Sequence, residues 1–458
     1  MANTVRIGNG QAFWGDWAEA PLSSVTGGRL RYLTLDYLAE LTMSILNKQR
    51  LKDPKLGYAG DFVELMRRLL PACMQRGVKV VTNAGGLNPA ACRSAVADVA
   101  RSLDIERICV ASVTGDDLMP RIGSLIESGI ELANLDTGEQ IAKVRDRLVS
   151  ANAYIGAQPI AEALSNGADI VIAGRCTDAA LVVGPLIHEF GWSPADYDRL
   201  AAGSIAGHLL ECGPFCTGGS FEGGWWDVPN LARIGYPIAE VAQDGQFVIT
   251  KPEGSGGLVN FHTVSEQLLY EMGDPSNFLT PDVVADITQI RIEEVASDRV
   301  QISGITGRAP TDKLKVSAAY AHGYTAVGTL AFSWPGAIAK ARRTAEMLIE
   351  RIDHLGLRYD DLRVDFIGAS AVLGHLSPNV DEPAEVMMRV AIRGDHREDL
   401  AKFGRELAPL GIAGPAGACG FGGRPTPSEV VAFWPALIPK SAVTASIEYE
   451  EVKGRWPA

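Results

Sequence analysis

The sequence predicts an α/β protein, with a mainly parallel sheet covered by helices in the N-terminal part, packed against a smaller α+β C-terminal part. Strand-like and helix-like segments alternate over the first 195 residues. Runs such as KVV (79–81) and DIVIA (169–173) lack alternating polarity, as strands do when helices cover both faces. After residue 285, strands come in hairpin-like pairs, which indicates an α+β arrangement for the rest of the chain.

The N-terminal alternation begins with a strand at 5–10. Helical spacing of apolar residues then predicts helices at 35–51 and 61–77, the second ending at a Gly stop signal. The predicted elements that follow are a strand at 79–81, helix 88–104, strand 107–113, helix 118–129, strand 150–156, helix 161–167, strand 168–174 and helix 177–191. Residues 1–195 are therefore predicted to form the α/β domain.

The remaining residues divide into two segments of different character. Residues 196–285 are rich in Gly and contain one predicted helix, around 263–272, so they are predicted to be a connecting and site-forming segment. Residues 286–458 are predicted to form the α+β domain. Its hairpin-like pairs are 285–295 with 299–305 and 315–321 with 325–332, and its further elements are a long helix at 335–356, strands 363–370 and 385–394, helix 397–410 and a final strand at 442–452.

Charge and cysteine content restrict the class of function. The 458 residues are 47% hydrophobic and carry 42 basic and 55 acidic side chains, a net charge of −13. A surface of that sign repels phosphate backbones and anionic lipid, so neither nucleic acid nor membrane is expected as a partner. The N-terminus has no secretory signal pattern, and seven irregularly spaced cysteines argue against a disulfide framework. A cytoplasmic location is therefore expected.

Two loops follow predicted parallel strands at the positions where open α/β sheets bind ligands. Glycines let backbone approach a ligand, and a helix start favours an anion. The alternative is an ordinary strand-to-helix turn with a capping side chain. The substrate-binding candidates in these loops are Asn83, Gly85, Gly86, Asn88, Arg175 and Thr177, and Asp178 is the catalytic candidate beside them.

The stretch GHLLECGPFCTGGSFEGGWWD (207–227) has the spacing of a metal site at first sight. His208, Cys212 and Cys216 recur every four residues, which would align them on one helix face. Gly213-Pro214 ends the helix before Cys216 can join that face, and three ligands fall short of a structural zinc site. No metal site is predicted; the stretch is interpreted as a helix end followed by a ligand-binding glycine loop.

Glycine loops and charged residues supply the remaining site candidates. Loops of this kind present N–H groups to an oxyanion or a carboxylate. A charged pair beside such a loop, as in KPEGSGG (251–257), is able to bind a carboxylate and move a proton, although a solvated turn is the alternative. The catalytic candidates here are Glu211, Lys251 and Glu253, with Glu222 as a further carboxylate, and the substrate-binding candidates are Gly218, Gly219 and Gly256.

Several long motifs together resemble the acyclic terpene utilisation AtuA family. They are TNAGGLNP, ADIVIAGRCTDAALVVGPLIHEFGW, GHLLECGPFCTGG, DVPNLARIGYPIAEV, KPEGSGGLV, SEQLLYEMGDPSNFLTPDVVAD and the late GPAG. The resemblance covers nearly the whole chain and implies the family's core domain, without the C-terminal ferredoxin-like extension of some members. It also implies bacterial catabolism in which branched acids are handled as CoA thioesters, but it carries over no catalytic residue.

These observations favour a catabolic lyase, most simply a hydratase or dehydratase of a branched or unsaturated acid or its CoA thioester. Such chemistry needs an acid/base pair and donors for an enolate oxygen. Three alternatives stay open. The first is a carbon–carbon lyase acting on a 3-hydroxy-acyl-CoA, and the second is a cysteine-dependent acyl hydrolase or transferase that uses Cys176, Cys212 or Cys216. The third is a non-catalytic subunit of a catabolic complex, with a small partner subunit. No cofactor beyond the CoA thioester is indicated, and a homo-oligomer is expected.

Overall fold

The computed structural model describes residues 4–377 and 383–453. In this part of the chain the strands are β1 (Thr4–Gln11), β2 (Tyr32–Leu35), β3 (Lys79–Thr82), β4 (Arg107–Thr114), β5 (Leu148–Ala153), β6 (Ile170–Ala173), β7 (Ile238–Ala242), β8 (Phe247–Thr250), β9 (Phe278–Leu279), β10 (Val284–Asp286), β11 (Arg291–Ala296), β12 (Arg299–Ser303), β13 (Thr306–Arg308), β14 (Lys313–Ser333), β15 (Asp361–Ile367), β16 (Glu385–Gly394), β17 (Ala418–Phe421), β18 (Ser428–Pro439) and β19 (Ser446–Lys453).

The α-helices are α1 (Ala20–Gly27), α2 (Thr42–Lys52), α3 (Gly60–Arg76), α4 (Pro89–Ser102), α5 (Ile122–Glu127), α6 (Gln158–Ser165), α7 (Ala180–Phe190), α8 (Tyr197–Glu211), α9 (Phe261–Leu269), α10 (Ala337–His354), α11 (Arg397–Leu407) and α12 (Leu410–Ala413). Short 3-10 turns connect several of them, including Gly213–Thr217 directly after α8. Within the described ranges, no helix combines the length and the apolar character needed to cross a membrane.

The chain divides into two compact units, the first formed by Met1–Ala319 with Phe433–Ala458 and the second by Tyr320–Ala432. The predicted segment boundaries at 195 and 285 were drawn from residue character and stay a prediction. The first unit contains a ten-stranded sheet in the order β11-β12-β8-β7-β1-β2-β3-β6-β4-β19. Strands from late in the chain, β11, β12 and β19, thus join the sheet that the early strands begin.

The mixed α/β class is confirmed, and the large sheet is itself mixed. Its five central strands, β1-β2-β3-β6-β4, are parallel neighbours. The flanking strands pair antiparallel, β7, β8, β12 and β11 on one side and β19 on the other. The parallel arrangement predicted for the N-terminal strands therefore describes the centre of the sheet, and the flanks differ because hairpins and the returning last strand add to its edges.

Helices cover both faces of the large sheet. Consecutive residues of a strand point to opposite faces, so Val81 belongs to the core under α6, α7, α8 and α9, whereas Val80 belongs to the core under α2, α3 and α4. Both valines are fully buried, which explains why these strands read as unbroken apolar runs. The second unit has an antiparallel sheet in the order β15-β16-β14-β17, whose apolar face packs against α10 and α11.

Three sequence predictions of local structure are wrong. Residues 196–285 were predicted to contain one helix, but they contain α8 as well as α9, because α8 is buried almost all round and lacks an amphipathic pattern. The segment 35–51 is not one helix: β2 ends at Leu35, a loop follows, and α2 starts at Thr42. Apolar periodicity continued through the loop because its Tyr37 and Leu38 are buried in the same core. The pair 315–321 and 325–332 is not a hairpin but one strand, β14, since both halves find other strands to pair with.

Candidate functional site

A cavity of about 660 Å³ lies in the first unit, where β1, β2 and β6 end. Its lining residues come from the loops directly after these strands, from the end of α8 and the turn after it, from the residues after α9, and from β14. Ligands bind at this edge in open α/β sheets, because the strand-to-helix loops there leave side chains and N–H groups free. The charged groups lining the cavity are Asp16, Asp36, Glu40, Asp178, Glu211, Glu271, Arg175 and Lys315.

Asp36 follows β2, and Asn83 follows the neighbouring β3. The Asn83 Nδ2 donates a hydrogen bond of 2.7 Å to Asp36 Oδ1, while Asn83 Oδ1 accepts one of 2.7 Å from the backbone N–H of Tyr37. Asn83 is fully buried and orients Asp36 from behind the cavity wall. Burial, and then the nearby Asp178, raise the pKa of Asp36 well above its ordinary value, so this carboxyl tends to hold a proton.

Arg175 follows β6 and is buried, with 2% of its side chain exposed. Its guanidinium donates to Asp178 Oδ1 at 2.8 Å and to the carbonyl oxygen of Leu38, and it lies over the Tyr154 ring with Cζ 4.1 Å from the centroid. Burial lowers the pKa of Arg175, but Asp178, Tyr154 and Asp36 outweigh it and the group stays charged. Among the described residues its buried Nε has no hydrogen-bond partner, which is unusual for a buried polar group.

Asp116, in the loop after β4, fixes the backbone of Arg175. Its Oδ2 accepts hydrogen bonds of 2.8 Å from the Arg175 N–H and from Asn152 Nδ2. Gly174 is required beside it, because an added Cβ would stand 2.4 Å from an Asp116 carboxylate oxygen. Burial raises the pKa of Asp116 to about 7, despite these donors. The carboxyl is thus a buried support for the cavity wall.

Glu211 is the last residue of α8 and forms a pair with His208 one turn earlier. The His208 Nδ1 lies 2.9 Å from Glu211 Oε1, and its Nε2 donates to the carbonyl oxygen of Leu268 at 3.2 Å. Since a carbonyl only accepts, Nε2 carries a hydrogen, and the Nδ1 contact needs a second one on either His208 or Glu211. The pair therefore holds an exchangeable proton at the cavity wall.

The surroundings determine how strongly that proton is held. Burial raises the pKa of Glu211 to about 6 against the effect of His208, and repulsion from Asp178 and Glu271 acts in the same direction as burial. Burial lowers the pKa of His208, but its bond to Glu211 outweighs this and the pKa lies above its ordinary value. A carboxyl with this pKa exchanges its proton near neutral pH, as an acid/base catalyst must.

Gly207 allows α8 to approach the start of α7 closely. A Cβ at position 207 would lie 2.6 Å from the Ala179 Cα. Ala179 directly follows Asp178, so this packing brings the end of α8 to the loop that carries Arg175 and Asp178. Glu271 projects into the cavity from beyond α9 with φ of 57°, a left-handed conformation that a non-glycine residue adopts at some energetic cost.

Lys315 of β14 completes the polar wall. Its Nζ lies 4.7 Å from the Tyr154 ring centroid and donates to Glu40 Oε1 at 3.2 Å, and the same oxygen accepts from the Tyr154 hydroxyl at 3.1 Å. Lys315 is about half exposed. The apolar part of the lining is formed by Phe13, Leu38, Pro214, Phe215 and Tyr270. The cavity therefore offers two cations, several carboxyl groups and an apolar wall.

The structure brings Arg175, Asp178 and Glu211 together in one cavity and places Asn83 behind it. The other candidates near the strand ends make structural contacts. Asn88 caps α4 and donates to the carbonyls of Pro54 and Leu56. A Cβ at Gly85 would lie 2.6 Å from the Ala173 carbonyl oxygen, one at Gly86 would lie 2.3 Å from the Leu46 side chain, and the N–H of Thr177 bonds to Ile155.

The glycine candidates after α8 are also close to protein atoms. A Cβ at Gly218 would lie 2.9 Å from Val228, one at Gly219 would lie 3.0 Å from the Pro214 carbonyl oxygen, and one at Gly256 would lie 2.1 Å from the Asn230 carbonyl oxygen. Residues 85, 86, 88, 177, 218, 219 and 256 are not among those that line the main cavity. Their role in substrate binding stays a prediction, and the contacts explain the glycines by close chain packing.

Lys251 and Glu253 line a second cavity, of about 390 Å³, which shares no lining residue with the first. Lys251 Nζ lies 3.1 Å from Asp298 Oδ2 and donates to the Ser255 carbonyl oxygen at 3.1 Å. Glu253 is exposed and lies 3.5 Å from Arg29. Their catalytic role stays a prediction, but they do not face the cavity that holds Asp178 and Glu211.

α8 ends at Glu211, as Gly213-Pro214 predicts. The His208 nitrogens are occupied by Glu211 and Leu268. Across residues 4–377 and 383–453, no group of three or more His, Cys, Asp or Glu side chains is placed to hold a metal ion.

The three candidate nucleophilic cysteines are held in the thiol form by burial. Cys176 and Cys216 are fully buried, and burial raises the pKa of both. Burial raises the pKa of Cys212, which lines the main cavity, to about 12. A nucleophilic cysteine needs the opposite shift.

We therefore expect iodoacetamide at neutral pH to label the exposed Cys419 first and to leave Cys176 and Cys216 unlabelled until the protein unfolds. Mass spectrometry of peptides at successive times measures the order. Fast labelling of Cys176 or Cys212 in the folded protein would contradict this expectation and favour a cysteine nucleophile.

Sequence reasoning did not identify Asp36, Glu40, Tyr154, Glu271 or Lys315. One signal was available for Asp36: it directly follows the apolar run YLTL, as Asn83 follows KVVT. Reading residues 35–51 as a helix concealed that strand end. Nothing local marks Lys315, which reaches the cavity from β14.

The fold and the cavity define an α/β protein whose carboxylate-rich ligand site lies at the carboxyl ends of its parallel strands. The chain belongs to the acyclic terpene utilisation AtuA protein family, whose family model matches residues 5–449. The resemblance predicted from the motifs is confirmed, and the description of the family is consistent with the predicted catabolic role. No curated protein and no solved structure matches the chain.

Proposed function

We propose that the protein is a catabolic lyase that adds water to, or removes it from, an activated carbon–carbon double bond of a branched or unsaturated acyl-CoA. The observation that carries the proposal is the convergence of a proton-holding pair, Glu211 with His208, and a buried arginine with an unused donor at one cavity. Dehydration of an acyl thioester requires a base for the α-proton, an acid for the leaving hydroxyl and a donor for the enolate oxygen.

The contacts and pKa shift of each residue indicate which of these roles it takes. Glu211 supplies the acid, because its pKa of about 6 leaves a proton available near neutral pH. Asp178 supplies the base from the opposite loop, oriented by Arg175 at 2.8 Å. The Arg175 Nε, together with Lys315, binds the carbonyl oxygen on which negative charge develops.

At the acyl group, the charge balance of the cavity favours a neutral thioester carbonyl over a free carboxylate. Six carboxyl groups and two cations line it, so a substrate carboxylate would meet net repulsion unless several of these groups were protonated. A thioester carbonyl is neutral until the reaction begins. The apolar wall that includes Phe13 and Phe215 suits a branched hydrocarbon chain.

The deciding experiment is a mass-spectrometric screen of the purified protein against paired panels of branched unsaturated acids and their CoA thioesters. Gain or loss of one water on thioesters, with free acids unchanged, is the expected result. Cleavage into two smaller acyl products would contradict hydration and indicate the carbon–carbon lyase. No change of mass in either panel would favour the non-catalytic subunit, and co-purification with a partner protein would then test that alternative.

The proposed acid predicts a pH dependence of dehydration. Glu211 donates only in its protonated form, so the rate is expected to fall as pH rises through about 6. Glu271→Gln removes one of the charges that raise this pKa, and the midpoint should move to lower pH. Glu222→Gln, an exposed glutamate outside the cavity lining, is the matched control and should leave the midpoint unchanged. A midpoint that Glu271→Gln leaves in place, or raises, would contradict the assignment.

A further inference from the structure

The second cavity gathers positive side chains from separate parts of the first unit. Arg6 comes from β1, Arg29 from the turn after α1, Lys251 from the loop after β8 and Arg299 from β12. The cavity lies beside the amino-terminal half of β1, whereas the main cavity lies beyond the carboxyl end of that strand. Convergence of four cations from four segments is unfavourable without compensating negative charge.

The carboxylates nearby compensate this charge only in part. Arg6 and Arg299 both pair with the single carboxylate of Glu240, which faces Arg6 across the β1–β7 register. Lys251 is matched by Asp298. Two guanidinium groups therefore share the single negative charge of Glu240, so one positive charge beside it is not balanced.

Arg29 adds a fourth cation, and its ion pair with Glu253 is weak because both side chains are exposed. Its side chain and that of Glu253 are 83% and 84% exposed and 3.5 Å apart, so water screens the attraction between them. Arg29 has a φ of 49°, a left-handed conformation that costs energy for a residue with a Cβ. Burial and then repulsion by Arg299 and Arg29 lower the pKa of Arg6, which agrees with an excess of positive charge at this place.

We propose that this cavity, which we term the arginine cavity (Arg6, Arg29, Lys251, Arg299), binds a phosphate-type anion, either free phosphate or the phosphate group of a small organic molecule. Guanidinium groups bind the oxygens of phosphate through paired hydrogen bonds. The recess is polar and, at about 390 Å³, has room for a phosphate with a small substituent. The whole chain carries a net charge of −13, so a cationic recess contrasts with a protein that otherwise repels anions.

The site is independent of the proposed lyase function, because it shares no lining residue with the main cavity. Its test is a titration of the purified full-length protein with inorganic phosphate at low ionic strength, followed by 31P NMR and calorimetry. Saturable binding at one site is expected, weakened about tenfold or more by Arg29→Gly. This variant removes the guanidinium and also relieves the left-handed strain, so it is expected to fold.

Arg67→Ala, on the surface of α3, is the matched control and should leave phosphate binding unchanged. Glycerol phosphate in a parallel titration distinguishes the two sources: tighter binding than inorganic phosphate supports an organic phosphate ligand, and weaker binding supports the free anion. Absence of saturable binding to either probe, or equal affinity in the wild type and Arg29→Gly, would overturn the proposal.

Discussion

Replacing Glu211 by Gln is expected to lower the dehydration rate by about 10²- to 10⁴-fold, the usual contribution of a positioned general acid. The amide keeps the size of the side chain and is able to donate to His208 Nδ1, while Nε2 continues to donate to Leu268. The substitution therefore removes the exchangeable proton and retains the contact. Folding stability should change by no more than about 1 kcal/mol, the net value of one hydrogen bond.

Steady-state kinetics on the acyl-CoA identified by the screen measures this effect, with circular dichroism to verify the fold. Glu222→Gln makes the same chemical change 11 residues further along the chain at an exposed position and should retain the wild-type rate. If Glu211→Gln stays within a few-fold of wild type, Glu211 is not the acid. Asp36, whose pKa is raised by burial in the same cavity, would then be the next residue to replace.

Replacing Arg175 by Ala is expected to abolish activity and to lower the free energy of unfolding by about 3 kcal/mol, the lower end of the range for breaking a buried ion pair, because Asp178 is 33% exposed. The change would leave Asp178 without its partner and Asp36 without a nearby cation. It would also remove the guanidinium that lies over Tyr154.

Urea denaturation followed by fluorescence measures the stability. Arg68→Ala breaks an ion pair, about half exposed, in which Arg68 Nη2 contacts both carboxylate oxygens of Glu19, and it should cost about 1 kcal/mol or less. In the Arg175→Ala background, Asp178→Asn should restore part of the stability but none of the activity. A loss for Arg175→Ala no larger than that of the Arg68 control would show that the cavity tolerates an uncompensated carboxylate.

Patterns along the chain were sufficient for much of the fold. Apolar runs predicted the central strands, apolar periodicity predicted the helices after them, and Gly213-Pro214 predicted the end of α8. Each of these signals is local, because it depends on residues within one or two turns of the chain. Arg175 and Asp178 were predicted for the same reason: they directly follow a strand, and parallel strands place such loops at one edge of the sheet. The 35–51 prediction failed because residues of a buried loop and of a helix both contribute to one core.

The composition of the cavity required the tertiary structure. Its lining extends from Ala12 to Lys315, and no local pattern relates residues so far apart. Gly256, a predicted substrate-binding residue, also lies close to the Asn230 carbonyl oxygen, a contact that the sequence did not indicate. Lys251 and Glu253 have the residue types of an acid/base pair, but the path of β8 carries them to another cavity. The residue types and the positions of the strand ends thus determined which chemical groups are available. The packing of distant segments decided which of these groups share a site. The sequence does not give this, because pKa shifts and hydrogen bonds depend on distances in space.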